Sequence, residues 1–193
     1  YDTDYNQIDA QLVDENSEVY AFHPDHILIW LATDKIYEEF LEMDMSSRSR
    51  FAELYMQKLE HYWSLIAAKS KAHVIQMNFT EINDKVLGNY SCKVESTFCY
   101  QIRKLNFLLQ EAMSKNGNIY PVDLLSLQIQ LGTKELYYAP LYYNAKMCID
   151  MKALPYVAKA VTDVLLAMSG KIKKCIVCDL DNTLWGGVIG DDG

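Results

Sequence analysis

The chain has 193 residues, half of them apolar and 12% aromatic, with only 8 Gly and 4 Pro, which is enough apolar surface for a core and excludes a disordered or collagen-like chain. A net charge of −8 and a pI near 5.0 exclude the basic footprint of a nucleic-acid binder, and the absence of any apolar run of about 18 residues excludes a membrane-spanning helix. The length is about one and a half times that of a usual domain, so one domain plus a piece of another is expected.

Residues 26–33 (HILIWLAT) follow Pro24 and Asp25 and predict a buried strand. In residues 47–68, Phe51, Leu54, Tyr55, Leu59, Tyr62, Trp63 and Ile66 recur at helical spacing and predict an amphipathic helix. Residues 73–79 (HVIQMNF) predict a second strand, and residues 80–93, with Asn83, Asp84, Gly88 and Asn89, a loop. A second helical stripe over residues 95–115 has Phe98, Ile102, Leu105, Leu109 and Met113 on its core face. Asn116-Gly117 predicts its stop, through the left-handed backbone that glycine tolerates.

Residues 118–122 (NIYPV) predict a third strand, after which Asp123 is placed to cap a helix over residues 124–131 that Gly132 ends. Residues 137–143 are rich in tyrosine and predict an extended stretch packed on the sheet, with a partner-binding platform as the alternative. The last helix has Pro155 in its first turn, Val157, Val161, Val164, Leu165 and Met168 on one face, and Gly170 at its end. Residues 174–180 then read as a further strand.

Apolar strands alternating with helices predict a parallel sheet covered on both faces. In such sheets ligands bind beyond the carboxyl ends of the strands. That rule selects Thr33 and Asp34, Asn78, Val122 and Asp123, and Asp179. Short lysine groups at Lys69 and Lys71 and at Lys171, Lys173 and Lys174 read as solvated charge. His61 on a helical stripe and His73 at a strand start read as structural.

The five cysteines, at 92, 99, 148, 175 and 178, are odd in number and scattered, which predicts reduced thiols. Cys175 and Cys178 form a C-x-x-C, but three residues apart on a strand they point to opposite faces, against a shared metal or disulfide. With no signal peptide either, a cytoplasmic protein is expected. Tyr1 in place of Met, and an end at Gly193 in mid-motif, predict a piece of a longer polypeptide.

The most specific signal is Asp179, Asp181 and Thr183, a D-x-D-x-T directly after the apolar run 175–178. The Asp179 carboxylate at a strand end can attack a phosphoryl phosphorus. Asp181 is spaced to protonate the leaving oxygen and later to take a proton from water. The Thr183 hydroxyl suits non-bridging phosphate oxygens, and Mg²⁺ is the cation that carboxylate and carbonyl oxygens favour. Gly186, Gly187 and Gly190 let the following loop move over a phosphorylated small-molecule substrate.

The run DLDNTLWGGVIG, residues 179–190, resembles the first motif of the haloacid dehalogenase (HAD) superfamily and, within it, the FkbH-like branch. Residues 5–22, Pro24-Asp25 before a strand and Gly170-Lys171 before the motif also resemble the N-terminal region of that branch. The resemblance implies an SGNH-hydrolase-like α/β fold for residues 1–170: a three-layer (SGNH/flavodoxin-like) domain with a parallel sheet and helices on both faces. It implies that residues 171–193 are the truncated first strand of a Rossmann-like HAD domain. It implies a magnesium-dependent phosphatase or phosphotransferase, with Asp179 as nucleophile, Asp181 as acid/base, and both as metal ligands. Members attached to polyketide pathways load a glyceryl unit from a phosphorylated glycerate onto an acyl carrier protein, so a carrier protein is an expected partner.

Two other readings concern residues 1–170 alone: a non-catalytic module that recognises substrate or carrier protein, or an SGNH-type esterase. The esterase needs a G-D-S nucleophile block and a D-x-x-H. The chain has no Gly-Asp-Ser, and none of His23, His26, His61 and His73 has an Asp three residues before it.

Overall fold

A computed structural model of the chain describes residues 7–84, 86–145 and 147–171. Two short helices, α1 (Ile8–Val13) and α2 (Glu18–Ala21), lead into strand β1 (His26–Ile29). Helices α3 (Thr33–Glu42) and α4 (Phe51–Lys69), joined through a 3-10 turn at Arg48–Arg50, carry the chain to β2 (His73–Met77). A second 3-10 segment, Gly88–Lys93, precedes α5 (Phe98–Ser114), which leads to β3 (Ile119–Val122). Four helices follow: α6 (Leu124–Leu131), α7 (Thr133–Leu136), α8 (Ala139–Ala145) and α9 (Leu154–Met168).

The three strands form a parallel sheet in the spatial order β1-β2-β3. Because both crossovers advance in one direction and such connections are right-handed, α3, α4 and α5 cover the same face. There Ile29, Val74 and Ile119 join a core with Phe40, Phe51, Leu59, Tyr62, Ile66, Phe98, Leu105 and Leu109. The alternate strand residues Ile75, Met77 and Val122 point the other way, to a second core with Leu124, Leu127, Leu136 and Val157. Helices therefore lie on both faces of a parallel sheet, the layered α/β arrangement that the sequence implies.

Central strand β2 is buried on both faces, and even its polar Gln76 is fully enclosed. Burying an amide costs several kcal/mol unless it is hydrogen-bonded. Trp63 Nε1 donates to Gln76 Oε1 at 3.1 Å, and Gln76 Nε2 donates to the Met77 carbonyl at 2.9 Å. Strand β1 lies at the edge. Its Leu28, in register with buried Ile75, remains 43% exposed beside a groove of ≈ 510 Å³ that Ile8, Val19, Phe22 and Trp30 help to line.

Local signals placed most element ends. Asp123 Oδ1 accepts from Ser126 N at 2.9 Å to cap α6, and Gly132 ends that helix with φ +83°, a conformation restricted to glycine when ψ is 149°. Pro155 lies in the first turn of α9 and Gly170 follows its end at φ +70°. Several details differ from the sequence reading. Strand β1 stops at Ile29 because Thr33 already begins α3, β2 stops at Met77 rather than at 79, and the expected loop over 80–93 contains the 3-10 segment Gly88–Lys93. Gly117 is not left-handed; Asn116 makes the stop, its Oδ1 accepting from Asn118 N at 3.1 Å while its carbonyl accepts from Ile119 N at 3.2 Å. The tyrosine-rich stretch is not extended, since α8 occupies most of it. The expected strand at 174–180 lies outside the described residues.

Candidate functional site at the strand carboxyl ends

The parallel sheet collects a polar cluster where β1 and β2 end. Thr33 opens α3 just beyond β1, and Thr80 follows β2; their hydroxyl oxygens are 3.0 Å apart and both side chains are buried. The Thr80 hydroxyl also hydrogen-bonds the Tyr137 hydroxyl, which arrives from the far side of the sheet after α7. Three hydroxyls thus form one chain across the strand ends. Burial raises the Tyr137 pKa far above that of a free phenol, the contact with Thr80 opposes that rise, and the nearby Asp34 carboxylate adds to it. Tyr137 therefore works as a neutral hydrogen-bonding group.

Asp34, in the first turn of α3, faces Cys148 in the segment before α9. Burial, followed by hydrogen bonding and charge repulsion from Asp34, pushes the Cys148 thiol up to about 12. One Asp34 oxygen, Oδ2, is buried without a hydrogen-bond partner among the described residues. A carboxylate in that setting is ready to accept a hydrogen bond from something outside the cluster. On the outer rim, Tyr142 donates to Glu38 Oε1 at 2.8 Å, and Lys35 pairs with Glu38 Oε2 at 2.7 Å.

Such a thiol is inert. Its thiolate fraction near neutral pH is about 10³-fold below that of an ordinary cysteine, and the higher nucleophilicity of a more basic thiolate recovers only part of this. At about pH 8, iodoacetamide is expected to modify Cys148 about 10²-fold more slowly than a free thiol of ordinary pKa, as read by timed peptide mass mapping. Equal rates would show that Asp34 and burial do not act on it as described.

Asn78 and Asp123, also selected from the strand-end rule, have a structural role. Asn78 Nδ2 donates to Asp123 Oδ1 at 2.7 Å and Asn78 Oδ1 accepts from Leu125 N at 3.0 Å, which ties β2 to the start of α6. Asn83 and Asn89 are exposed in the loop that follows. The histidines lie elsewhere. His26 and His73 start β1 and β2, with ring centroids 5.9 Å apart, and the His73 and Tyr120 rings make a T-shaped contact. His61 is exposed on α4, and His23, at φ 52°, follows α2. None of the four reaches the strand carboxyl ends, so a hydroxyl there has no imidazole to take its proton.

Asp179, Asp181 and Thr183 lie outside the described residues, as do Cys175 and Cys178. Among the described residues no group of three or more His, Cys, Asp and Glu side chains could hold a metal ion, and no helix is long and apolar enough to cross a membrane. The Thr33–Thr80–Tyr137 chain and the Asp34–Cys148 pair were only half visible in sequence. The strand-end rule points to Thr33 and Asp34, but Tyr137 and Cys148 come from segments whose position no local pattern reveals.

A layered α/β domain with a polar, histidine-free cluster at its strand ends defines the class. The family described as the FkbH N-terminal domain matches residues 1–166, and the chain belongs to that family. It is also similar to a crystal structure of the N-terminal part of the protein BF1531 from Bacteroides fragilis, containing a phosphatase domain and complexed with Mg. The two are 32% identical with a TM-score of 0.88, over 100% of this chain and 50% of that one. This chain therefore spans half the length of that relative. A search of the curated proteins found no match.

Proposed function

We propose that the chain is the N-terminal part of a Mg²⁺-dependent phosphatase or phosphotransferase of the HAD type, with its α/β domain acting as a recognition module. The observation that carries this reading is the run DLDNTLWGGVIG at residues 179–190, which follows the FkbH N-terminal domain matched over residues 1–166. The Mg-bound phosphatase domain of the B. fragilis relative supports it.

Asp179 is the nucleophile: a carboxylate oxygen attacks phosphorus, the bond to the leaving oxygen breaks, and Asp181 delivers a proton to that oxygen. In the second step Asp181 takes a proton from water, which attacks the aspartyl-phosphate and frees Asp179. Thr183 donates to a non-bridging oxygen. The Asp179 carboxylate and the Asp181 carbonyl are hard oxygen donors of the kind Mg²⁺ prefers, and the cation would neutralise phosphate charge.

The substrate in this reading is a phosphorylated small molecule. For a member acting in glyceryl transfer it is a phosphorylated glycerate, and the acceptor is an acyl carrier protein in the cytoplasm. The α/β domain takes the recognition role because its strand-end cluster offers neutral hydroxyls and an acidic acceptor with no histidine beside them. That absence tells against the esterase reading.

The 193-residue chain is expected to bind an acyl carrier protein saturably in a calorimetric titration and to leave p-nitrophenyl acetate unhydrolysed. Ester turnover without carrier binding would reverse the assignment.

A further inference from the structure

Five cysteines read from sequence as scattered thiols, yet two of them meet. Cys92, near the end of the 3-10 segment Gly88–Lys93, is exposed; Cys99, in the first turn of α5, is buried. Their sulfurs are 3.8 Å apart, in van der Waals contact, against about 2.05 Å in a disulfide. The loop between them is already held in shape. The Thr97 hydroxyl donates to the Ser91 carbonyl at 2.7 Å and accepts from Tyr100 N at 3.4 Å, which caps α5.

The two sulfurs also differ in character. Arg103 Nη1 reaches Cys92 Sγ at 3.4 Å. Its guanidinium is fixed by Glu81, with Nε and Nη2 donating to the two carboxylate oxygens at 2.6 and 2.7 Å. Cys92 is thus the sulfur that solvent and a small disulfide can reach, with a fixed hydrogen-bond donor beside it. Cys99 is enclosed, and burial, followed by its contact with Cys92, raises its pKa.

We propose that Cys92 and Cys99 are a reversible dithiol–disulfide couple, with Cys92 as the attacking thiol and Cys99 as the resolving one, oxidised by low-molecular-weight disulfides. The Cys92 thiolate attacks one sulfur of glutathione disulfide and expels a glutathione thiolate, leaving a mixed disulfide. Cys99 then loses its proton and attacks Cys92 Sγ, expelling the second glutathione thiolate. The protein gives up two protons and two electrons, and one glutathione disulfide becomes two glutathione thiols. The bond would lock the loop that leaves the carboxyl end of β2 onto the first turn of α5.

The test equilibrates the 193-residue chain in glutathione buffers of stepped potential without oxygen, quenches with acid, alkylates with N-ethylmaleimide and maps peptides by mass. The expected result is the joint loss of alkylation at Cys92 and Cys99, a peptide linking them, and full recovery with dithiothreitol. Cys99→Ser is expected to hold glutathione stably on Cys92, and Cys92→Ser to leave Cys99 alkylatable throughout. The proposal is overturned if both thiols remain alkylatable in the most oxidising buffer. It fails equally if wild type stops at the mixed disulfide, or if Cys92 pairs instead with Cys148, Cys175 or Cys178.

Discussion

Asp179→Asn is expected to lower phosphate release by about 10³-fold or more in the longer phosphatase proposed for this chain, assayed with Mg²⁺ and a phosphorylated glycerate. The amide has neither the charge nor the available lone pair to attack phosphorus, and removing one member of a covalent catalytic unit costs about 10⁴ to 10⁶ in well-studied hydrolases. Asp181→Asn is expected to lose less, about 10² to 10⁴, because it removes proton transfer and leaves the nucleophile in place. The two variants also differ in what accumulates. With Asp179 intact, a denaturing quench of the Asp181 variant should trap phosphate on the protein, since water attack lacks its base. With Asn at position 179 no such label can form. Phosphate release that survives Asp179→Asn would remove the nucleophile assignment, and circular dichroism of both variants separates chemistry from folding.

The roles proposed for Asp179 and Asp181 rest entirely on local sequence. Their spacing, the apolar run before them and the glycines after them lie within about twenty residues, which is why a motif can carry the chemistry with no knowledge of the fold. The helices and strands were legible for a related reason. Phe98, Ile102, Leu105, Leu109 and Met113 repeat at helical spacing and all five are buried, while Asp123, Gly132 and Pro155 mark ends through their own backbone and side-chain chemistry.

What stayed hidden depends on residues far apart in the chain. Thr33, Thr80 and Tyr137 form a hydroxyl chain only because parallel strands end at the same level. The Cys92–Cys99 contact requires the 3-10 segment to fold back over α5. Composition cannot distinguish that pair from two isolated thiols. Strand ends were overrun because Trp30 and Leu31 continue the apolar run past the last paired residue of β1, and apolar character reports burial rather than pairing.

Gln101 is the clearest case of a polar residue hidden among apolar positions, and its removal is expected to have the largest effect on stability among the polar core residues. It is fully buried on the core side of α5. The first N–H groups of any helix lack intrahelical partners, and Arg50, at the N-cap of α4, supplies no side-chain bond. Gln101 supplies it from the neighbouring helix: its Oε1 accepts from Ala52 N at 2.8 Å. Its Nε2 donates to the Ser49 carbonyl at 3.0 Å and the Glu95 carbonyl at 2.7 Å. One amide thus caps α4 and fastens the 3-10 turn before α4 to the loop before α5.

Gln101→Ala is expected to cost about 2–4 kcal/mol, from three bonds of about 1 kcal/mol each plus a small cavity, read as a lower urea midpoint. Gln101→Glu tests the geometry further. An ionised carboxylate still accepts from Ala52 but faces two carbonyl oxygens, so its folded pKa must rise above its unfolded value. The penalty of that variant is therefore smallest below the unfolded pKa, where the acid can donate, and grows as pH rises through the folded pKa. A Gln101→Ala variant within about 0.5 kcal/mol of wild type, the range of ordinary surface changes, would show that the α4–α5 pairing rests on apolar packing alone.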